Sequence, residues 1–208
     1  MKFAIAVLLG VLLLGPIATL QAADPAGASQ VAIGFTGGSV WTSPSTGICI
    51  WYLPLVGELD LKSLFMGPLF GAPVADREHA YLIWVSDFSV EVLPPNRDFN
   101  LVALVPTGTG TIYFSNTPDR RDWKDLTNRS TWGDPVATFV RKAGIYPSAD
   151  GGASATFIFS ADLVSSRTFP LNGKAFNFRD LLPHGMTCFE RAVGAAEAGT
   201  CIAAGGGS

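Results

Sequence analysis

The sequence predicts an all-β protein: an antiparallel β-sandwich or barrel of about ten short strands, with long loops and little helix. Short apolar or alternating runs recur along the chain, and turn-forming residues separate them about every 8–12 residues. No run has the length and period of a long helix. Glycine and proline are abundant, with 23 and 14 residues, whereas only 15% of the residues are charged. A fixed-length repeat is absent from the sequence, which disfavours a propeller or a solenoid.

The strand predictions rest on β-branched and aromatic runs bounded by turn residues. The run at 48–53 is apolar throughout, as expected for a strand that is buried on both faces. Asn172-Gly173 is the strongest turn signal, because both residues of a tight hairpin turn take positive φ. A short helical turn is predicted at 178–182, and a helical turn is favoured over a short strand at 58–66. The predicted strands are 31–35, 39–41, 48–53, 80–85, 88–92, 99–105, 111–115, 136–141, 155–161, 167–171 and 174–178.

Residues 1–23 have the pattern of a cleavable signal peptide. Lys2 is followed by an apolar run that reaches Leu14, and Pro16 interrupts it before the small residues of the expected cleavage site. The run is short for a membrane-spanning helix, which needs about 20 apolar residues. We therefore expect a secreted or periplasmic protein in which residues 24–208 form a single β-rich globular domain, without a transmembrane segment after cleavage.

The three cysteines predict one disulfide and one buried thiol. Export permits a disulfide, and Cys188 with Cys201 is the favoured pair because a short loop closes easily. A pairing of either residue with Cys49 is the alternative. Cys49 lies in an apolar run, and nothing nearby in the sequence would activate it as a nucleophile. From Ala192 onward the residues are mostly small, and we expect a flexible Gly-rich C-terminal tail that the disulfide holds.

Composition argues against several classes of function. The net charge is −3 and there is no basic cluster, so neither nucleic acid nor an anionic membrane surface is an expected partner. Asp76 and Glu78 precede His79, but these neighbours do not have the spacing of a metal site. The Gly-rich segment 106–110 lacks the lysine and the helix of a phosphate-binding loop. We expect no cofactor and no metal.

The candidate binding surface is the polar stretch 116–135. Trp123 and Trp132 lie there beside hydrogen-bonding residues, among them Arg121 and Asp125. An exposed indole ring stacks on a sugar or a protein surface while polar neighbours fix the orientation, so these four residues are the predicted ligand-binding set. The alternative is that both rings fold back over the end of a barrel as a satellite of the core.

Three functions are compatible with these observations. The first is an exported non-catalytic binding or surface-interaction module, with a glycan or a protein as its partner. The second is a secreted hydrolase with a dispersed site around His184 or His79, although the chain lacks a nucleophile-elbow motif. The third is a barrel-type carrier of an apolar small molecule, which the 48% hydrophobic composition motivates. The sequence leaves enzymatic activity, ligand identity and oligomeric state open.

Overall fold

A computed structural model describes residues 31–59, 61–66, 79–91, 107–145, 148–149, 154–194 and 196–204. The strands are β1 (Val31–Trp41), β2 (Thr46–Val56), β3 (Leu82–Ser89), β4 (Thr109–Phe114), β5 (Asp134–Ile145), β6 (Ser148–Ala149), β7 (Ser154–Ser166), β8 (Phe169–Leu171), β9 (Lys174–Phe176), β10 (Met186–Val193) and β11 (Ala196–Ala203). One short helix, α1 (Phe178–Leu181), precedes β10. Single 3₁₀ turns lie at Leu61–Leu64, Pro118–Arg120 and Arg129–Thr131.

Eight of these strands close into an antiparallel barrel. Their order is β1-β2-β3-β4-β5-β7-β10-β11, and β11 pairs back onto β1. Each barrel strand therefore pairs with its neighbours in the chain, as in an up-and-down barrel, and closure removes the exposed sheet edges. The all-β prediction is confirmed, and the choice between sandwich and barrel is decided in favour of the barrel.

The local predictions around the hairpin of β8 and β9 are confirmed. Asn172 and Gly173 have φ angles of 52° and 74°, as the tight turn requires. Helix α1 follows directly, and the side chain of Asn177 accepts a hydrogen bond from the Arg179 N–H at its N-terminus. A 3₁₀ turn is present within the predicted helical segment 58–66.

The last two barrel strands, β10 and β11, are missing from the sequence predictions. The flexible tail expected from Ala192 is wrong for residues 196–203, which form β11 and close the barrel. Small residues and glutamates that face inward hide the usual alternation of apolar and polar residues. The predicted signal peptide, the predicted strand at 99–105 and the four C-terminal residues lie outside the described residues.

Aromatic rings fill the middle of the barrel. Five of them form one cluster, in which neighbouring ring centroids lie 4.9–6.2 Å apart and each side chain is at most 2% exposed. The cluster consists of Phe35, Trp51, Trp84, Phe139 and Phe159. Glycines make room for it: a Cβ at Gly199 would lie 2.5 Å from the Phe35 ring, and one at Gly110 would lie 2.2 Å from Trp84 Nε1. The centre is thus a packed core.

The segment from β8 to α1 covers one end of the barrel, which we call the closed end. The rings of Phe114 and Phe169 lie 5.0 Å apart, and Phe178 stacks on Phe169 at 5.9 Å. The Asn172 side chain donates a hydrogen bond to the Ser63 carbonyl at 2.6 Å, which ties the hairpin to the 3₁₀ turn after β2. We call the opposite end, where β1 ends and β11 begins, the mouth. Nowhere in the described ranges is a helix long and apolar enough to cross a membrane.

Candidate functional site

The polar stretch that carries the predicted ligand-binding residues lies against the outer wall of the barrel. Trp132 is completely buried there, with its ring 5.9 Å from that of Tyr113 on the outer face of β4. Arg129 forms an ion pair with Asp87, which points outward from β3. Trp123 is half-buried, and its ring lies 6.1 Å from that of Trp132. Trp132 therefore has no exposed ring face on which a ligand could stack. Only part of the Trp123 side chain is accessible to a ligand.

Arg121 anchors the polar stretch 116–135, which we call the outer-wall loop, to the barrel. It is only 5% exposed, and its guanidinium donates hydrogen bonds to three backbone carbonyls: those of Ala80, Tyr81 (3.0 Å) and Trp132 (3.1 Å). Burial lowers the pKa of Arg121 to about 10. Its bonding groups are thus directed into the fold and away from solvent.

Asp125 is exposed and organises a turn of the same loop. Its carboxylate accepts hydrogen bonds from the Thr127 hydroxyl at 2.7 Å and from the backbone N–H groups of Thr127 and Asn128. These bonds lower the pKa of Asp125, chiefly those from Thr127. A ligand-binding role for the four residues is still a prediction. Trp123 and Asp125 are the two that have accessible surface.

A second and more enclosed site lies inside the mouth. It is a cavity of about 40 Å³ above the aromatic core. Side chains from most of the surrounding strands line it, together with two residues from the adjoining turns. The lining residues are Ser39, Trp41, Cys49, Phe88, Val90, Arg141, Phe157, Glu190, Ala192, Gly194 and Glu197. By the usual measure it has room for a few water molecules or for one small chemical group.

Four polar side chains form the floor of this cavity because alternate residues of a strand face the barrel interior. Cys49 lies on β2, Arg141 on β5, Glu190 on β10 and Glu197 on β11, and each is 5–7% exposed. Glu190 is paired across the sheet with Gly199, so it is a diagonal neighbour of Glu197 on the inner face. We call these four residues the mouth cluster.

The two glutamates of the mouth cluster interact with one another. Burial raises the pKa of Glu190 well above its usual value, and the charge of Glu197 and a hydrogen bond to it raise it further. These effects favour the protonated form of Glu190, which donates to Glu197. The Trp51 indole N–H also donates to Glu197, at 2.7 Å. Glu197 thus receives two donors within the barrel.

Burial, followed by the charge of Glu197, raises the pKa of the Cys49 thiol well above its usual value. The thiol is therefore protonated at neutral pH, and a protonated thiol is a poor nucleophile. Cys49 acts in this cavity as a small lining residue. It is also the free cysteine of the chain, since the structure pairs Cys188 with Cys201 as predicted, within the barrel wall between β10 and β11.

Arg141 is the unusual member of the mouth cluster. Its guanidinium lies over the Phe159 ring, 4.4 Å from the centroid, as in a cation–π contact. Its Nε and Nη2 atoms are buried, and neither has a hydrogen-bond partner among the described residues. In the same part of the chain, no carboxylate lies within 4.0 Å of its nitrogens. Buried donors are normally paired, so two unpaired donors of one charged side chain point to a missing acceptor.

The rim of the cavity is aromatic. Trp41, the last residue of β1, is 47% exposed, and its ring meets that of Phe88 edge to face at 5.0 Å. An exposed indole beside a polar cavity offers an apolar contact for the part of a ligand that stays outside. Sequence reasoning missed this site, since Trp41, Arg141, Glu190 and Glu197 carry no motif and lie on four different strands.

The two histidines do not contribute to the cavity. His79 lies just before β3 and His184 in the turn between α1 and β10, and both are exposed. They are thus next to the strand ends of the closed end. The described residues contain no group of three His, Cys, Asp or Glu side chains that could hold a metal ion.

Fold and site together define a class: an up-and-down eight-stranded barrel with an aromatic core, a covered end and a small charged cavity at its mouth. No protein-family model, curated protein or solved structure matches the chain.

Proposed function

We propose that this protein is an exported, non-catalytic binding module whose ligand enters the mouth of the barrel. The observation that carries the proposal concerns Arg141, which is buried, lines the cavity and has two donors that no described residue satisfies. A packed core gains nothing from such a group, because a buried polar atom without a partner destabilises the fold. A group of this kind is expected where another molecule supplies the acceptor.

The chemistry of the cavity supports binding over catalysis. The Cys49 thiol is protonated because burial raises its pKa, and the proton of Glu190 is held against Glu197. The histidines of the hydrolase alternative lie outside the cavity lining. The apolar-carrier alternative has little support, because aromatic rings fill the centre of the barrel and the mouth cavity, at about 40 Å³, is far below the roughly 300–1,000 Å³ of sites that enclose a drug-sized ligand.

Export is part of the proposal. The N-terminal signal pattern motivates it, and the buried bond between Cys188 and Cys201 is compatible with it, because disulfides persist in oxidising compartments. A glycan or the surface of a partner protein fits an aromatic rim above a polar cavity. Only a side group of such a partner would enter the cavity itself.

The test compares the mouth with the outer-wall loop. Titration calorimetry would use saccharides, small organic acids and their amides against the wild type, Trp41→Ala and Trp123→Ala. We expect at least one compound to bind the wild type, to lose at least tenfold in affinity with Trp41→Ala, and to bind Trp123→Ala unchanged. The reverse pattern would move the site to the outer-wall loop, and an absence of binding across the panel would reject the proposal.

A further inference from the structure

We propose that the mouth cavity recognises a carboxylate, which binds side-on to the Nε–Nη2 edge of Arg141. This inference rests on the proposed function and specifies the chemistry of its ligand.

The two unpaired donors of Arg141 are the pair that lies along one edge of the guanidinium. Their N–H bonds run nearly parallel in the plane of the group. The spacing of these hydrogens matches that of the two oxygens of a carboxylate, and the two groups form parallel, charge-assisted hydrogen bonds. A carboxylate gives each donor its own oxygen, whereas a single hydroxyl would have to share one oxygen between both donors. The pattern of unpaired atoms therefore selects a group with two acceptor oxygens in one plane.

Among the described residues, none supplies that acceptor. The carboxylate of Glu197 is the candidate acceptor within the mouth cluster. It already accepts hydrogen bonds from the Trp51 indole and from the acid proton of Glu190. Within the described residues, Arg141 has no ion-pair partner, whereas the arginines at 129 and 167 each have an aspartate. The charge of Arg141 acts on Glu190, but no described residue occupies the Nε–Nη2 edge of its guanidinium.

The surroundings of Arg141 orient it for this role. The Phe159 ring supports one face of the guanidinium at 4.4 Å, and the Trp51 ring lies 5.8 Å from the same group. A guanidinium held in this way is pre-organised, so little side-chain entropy is lost when a ligand binds. The cavity admits the carboxylate group, and Trp41 at the rim contacts the carbon skeleton that carries it.

Water molecules are the competing occupants of the cavity. A cavity with polar walls and this volume can hold ordered water, which would also satisfy the donors. Water and a carboxylate differ in one measurable respect. A carboxylate gains from the charge of Arg141, whereas its neutral amide does not. A comparison of the two therefore distinguishes a carboxylate site from a merely hydrated one.

The experiment uses the full chain as exported, with acetate, propionate and benzoate as ligands and their three amides as neutral counterparts. Binding is followed by calorimetry and by tryptophan fluorescence. We expect at least one acid to bind the wild type at least tenfold more tightly than its amide. Arg141→Lys keeps the positive charge but loses the two-pronged edge, and should weaken the acid at least tenfold. The matched control is Arg167→Lys, an exposed arginine paired with Asp134 at 3.1 Å, which should bind as the wild type does.

Three results would overturn the carboxylate assignment while leaving the binding module standing. They are an amide that binds as tightly as its acid, an Arg141→Lys variant with unchanged affinity for the acid, or inorganic phosphate that binds more tightly than every acid. The first and third comparisons need no variant, so they decide the question even if Arg141→Lys does not fold. If no acid, amide, saccharide or phosphate binds, the proposed function fails as well.

Discussion

Removal of the Arg121 guanidinium tests whether the outer-wall loop is fastened to the barrel as described. Arg121→Met keeps an apolar stem but deletes three donated hydrogen bonds. The Tyr81 carbonyl retains a partner, because the Ser115 N–H also donates to it at 3.0 Å. The carbonyls of Ala80 and Trp132 lose the donor that binds them. Each buried acceptor that loses its donor costs about 1–3 kcal/mol, so for two acceptors the folded state should lose about 2–6 kcal/mol.

Urea denaturation followed by tryptophan fluorescence measures this loss as a lower midpoint with an unchanged slope. The neighbouring exposed residue provides the control, since Arg120→Met should change stability by less than about 0.5 kcal/mol. The loss of stability for Arg121→Lys should lie between the losses for Arg120→Met and Arg121→Met, because an ammonium group does not reproduce the planar fork of the guanidinium. A loss below about 1 kcal/mol for Arg121→Met would refute the reasoning, since the carbonyls would then have other partners.

Three further predictions concern the barrel interior and wall. Burial raises the folded pKa of Glu190 above its ordinary value of 4.5, so its contribution to stability is complete below that value and is lost as pH rises through the folded pKa. Glu190→Gln, which mimics the protonated acid, should remove this decline in a series of urea titrations from pH 5 to 8; a variant with the same decline as the wild type would contradict the assignment. Gly199→Ala should destabilise the fold by about 1–3 kcal/mol or more, because the added Cβ would lie 2.4 Å from the Phe189 carbonyl oxygen, and an unchanged melting temperature would exclude this close packing. Cys188→Ala with Cys201→Ala should cost about 3 kcal/mol, the loop-closure value for a separation of 13 residues, and reductant should then leave the stability of the double variant unchanged.

Local pattern was sufficient where structure depends on neighbours in the chain. The Asn172-Gly173 turn and helix α1 follow from backbone preferences and capping. The same approach failed for β10 and β11. Glu190 and Glu197 occupy positions that face the core, and an alternating pattern with charges on its inner face does not resemble a strand. The residues that build the mouth cluster are thus the ones that concealed its strands.

The polar stretch on the outer wall shows the converse difficulty. Its composition predicts exposure, yet Trp132 is fully buried and Arg121 almost so. Their partners are Tyr113 and the carbonyls at 80 and 81, and the latter lie about 40 residues from Arg121 along the chain. Whether an indole in a polar segment is a binding surface or an anchor depends on the wall against which it packs.

The sequence alone determined that the protein is all-β, that it has little helix and that Cys188 and Cys201 form the favoured pair, because each depends on short-range preferences. Tertiary structure decided that the strands close into a barrel, since closure pairs Ile33 with Cys201 across nearly the whole described chain. Closure also directs four polar side chains from separate strands into one cavity, and leaves Arg141 with donors that no described residue satisfies. No local pattern contains that arrangement, because distance along the chain does not report distance across a barrel.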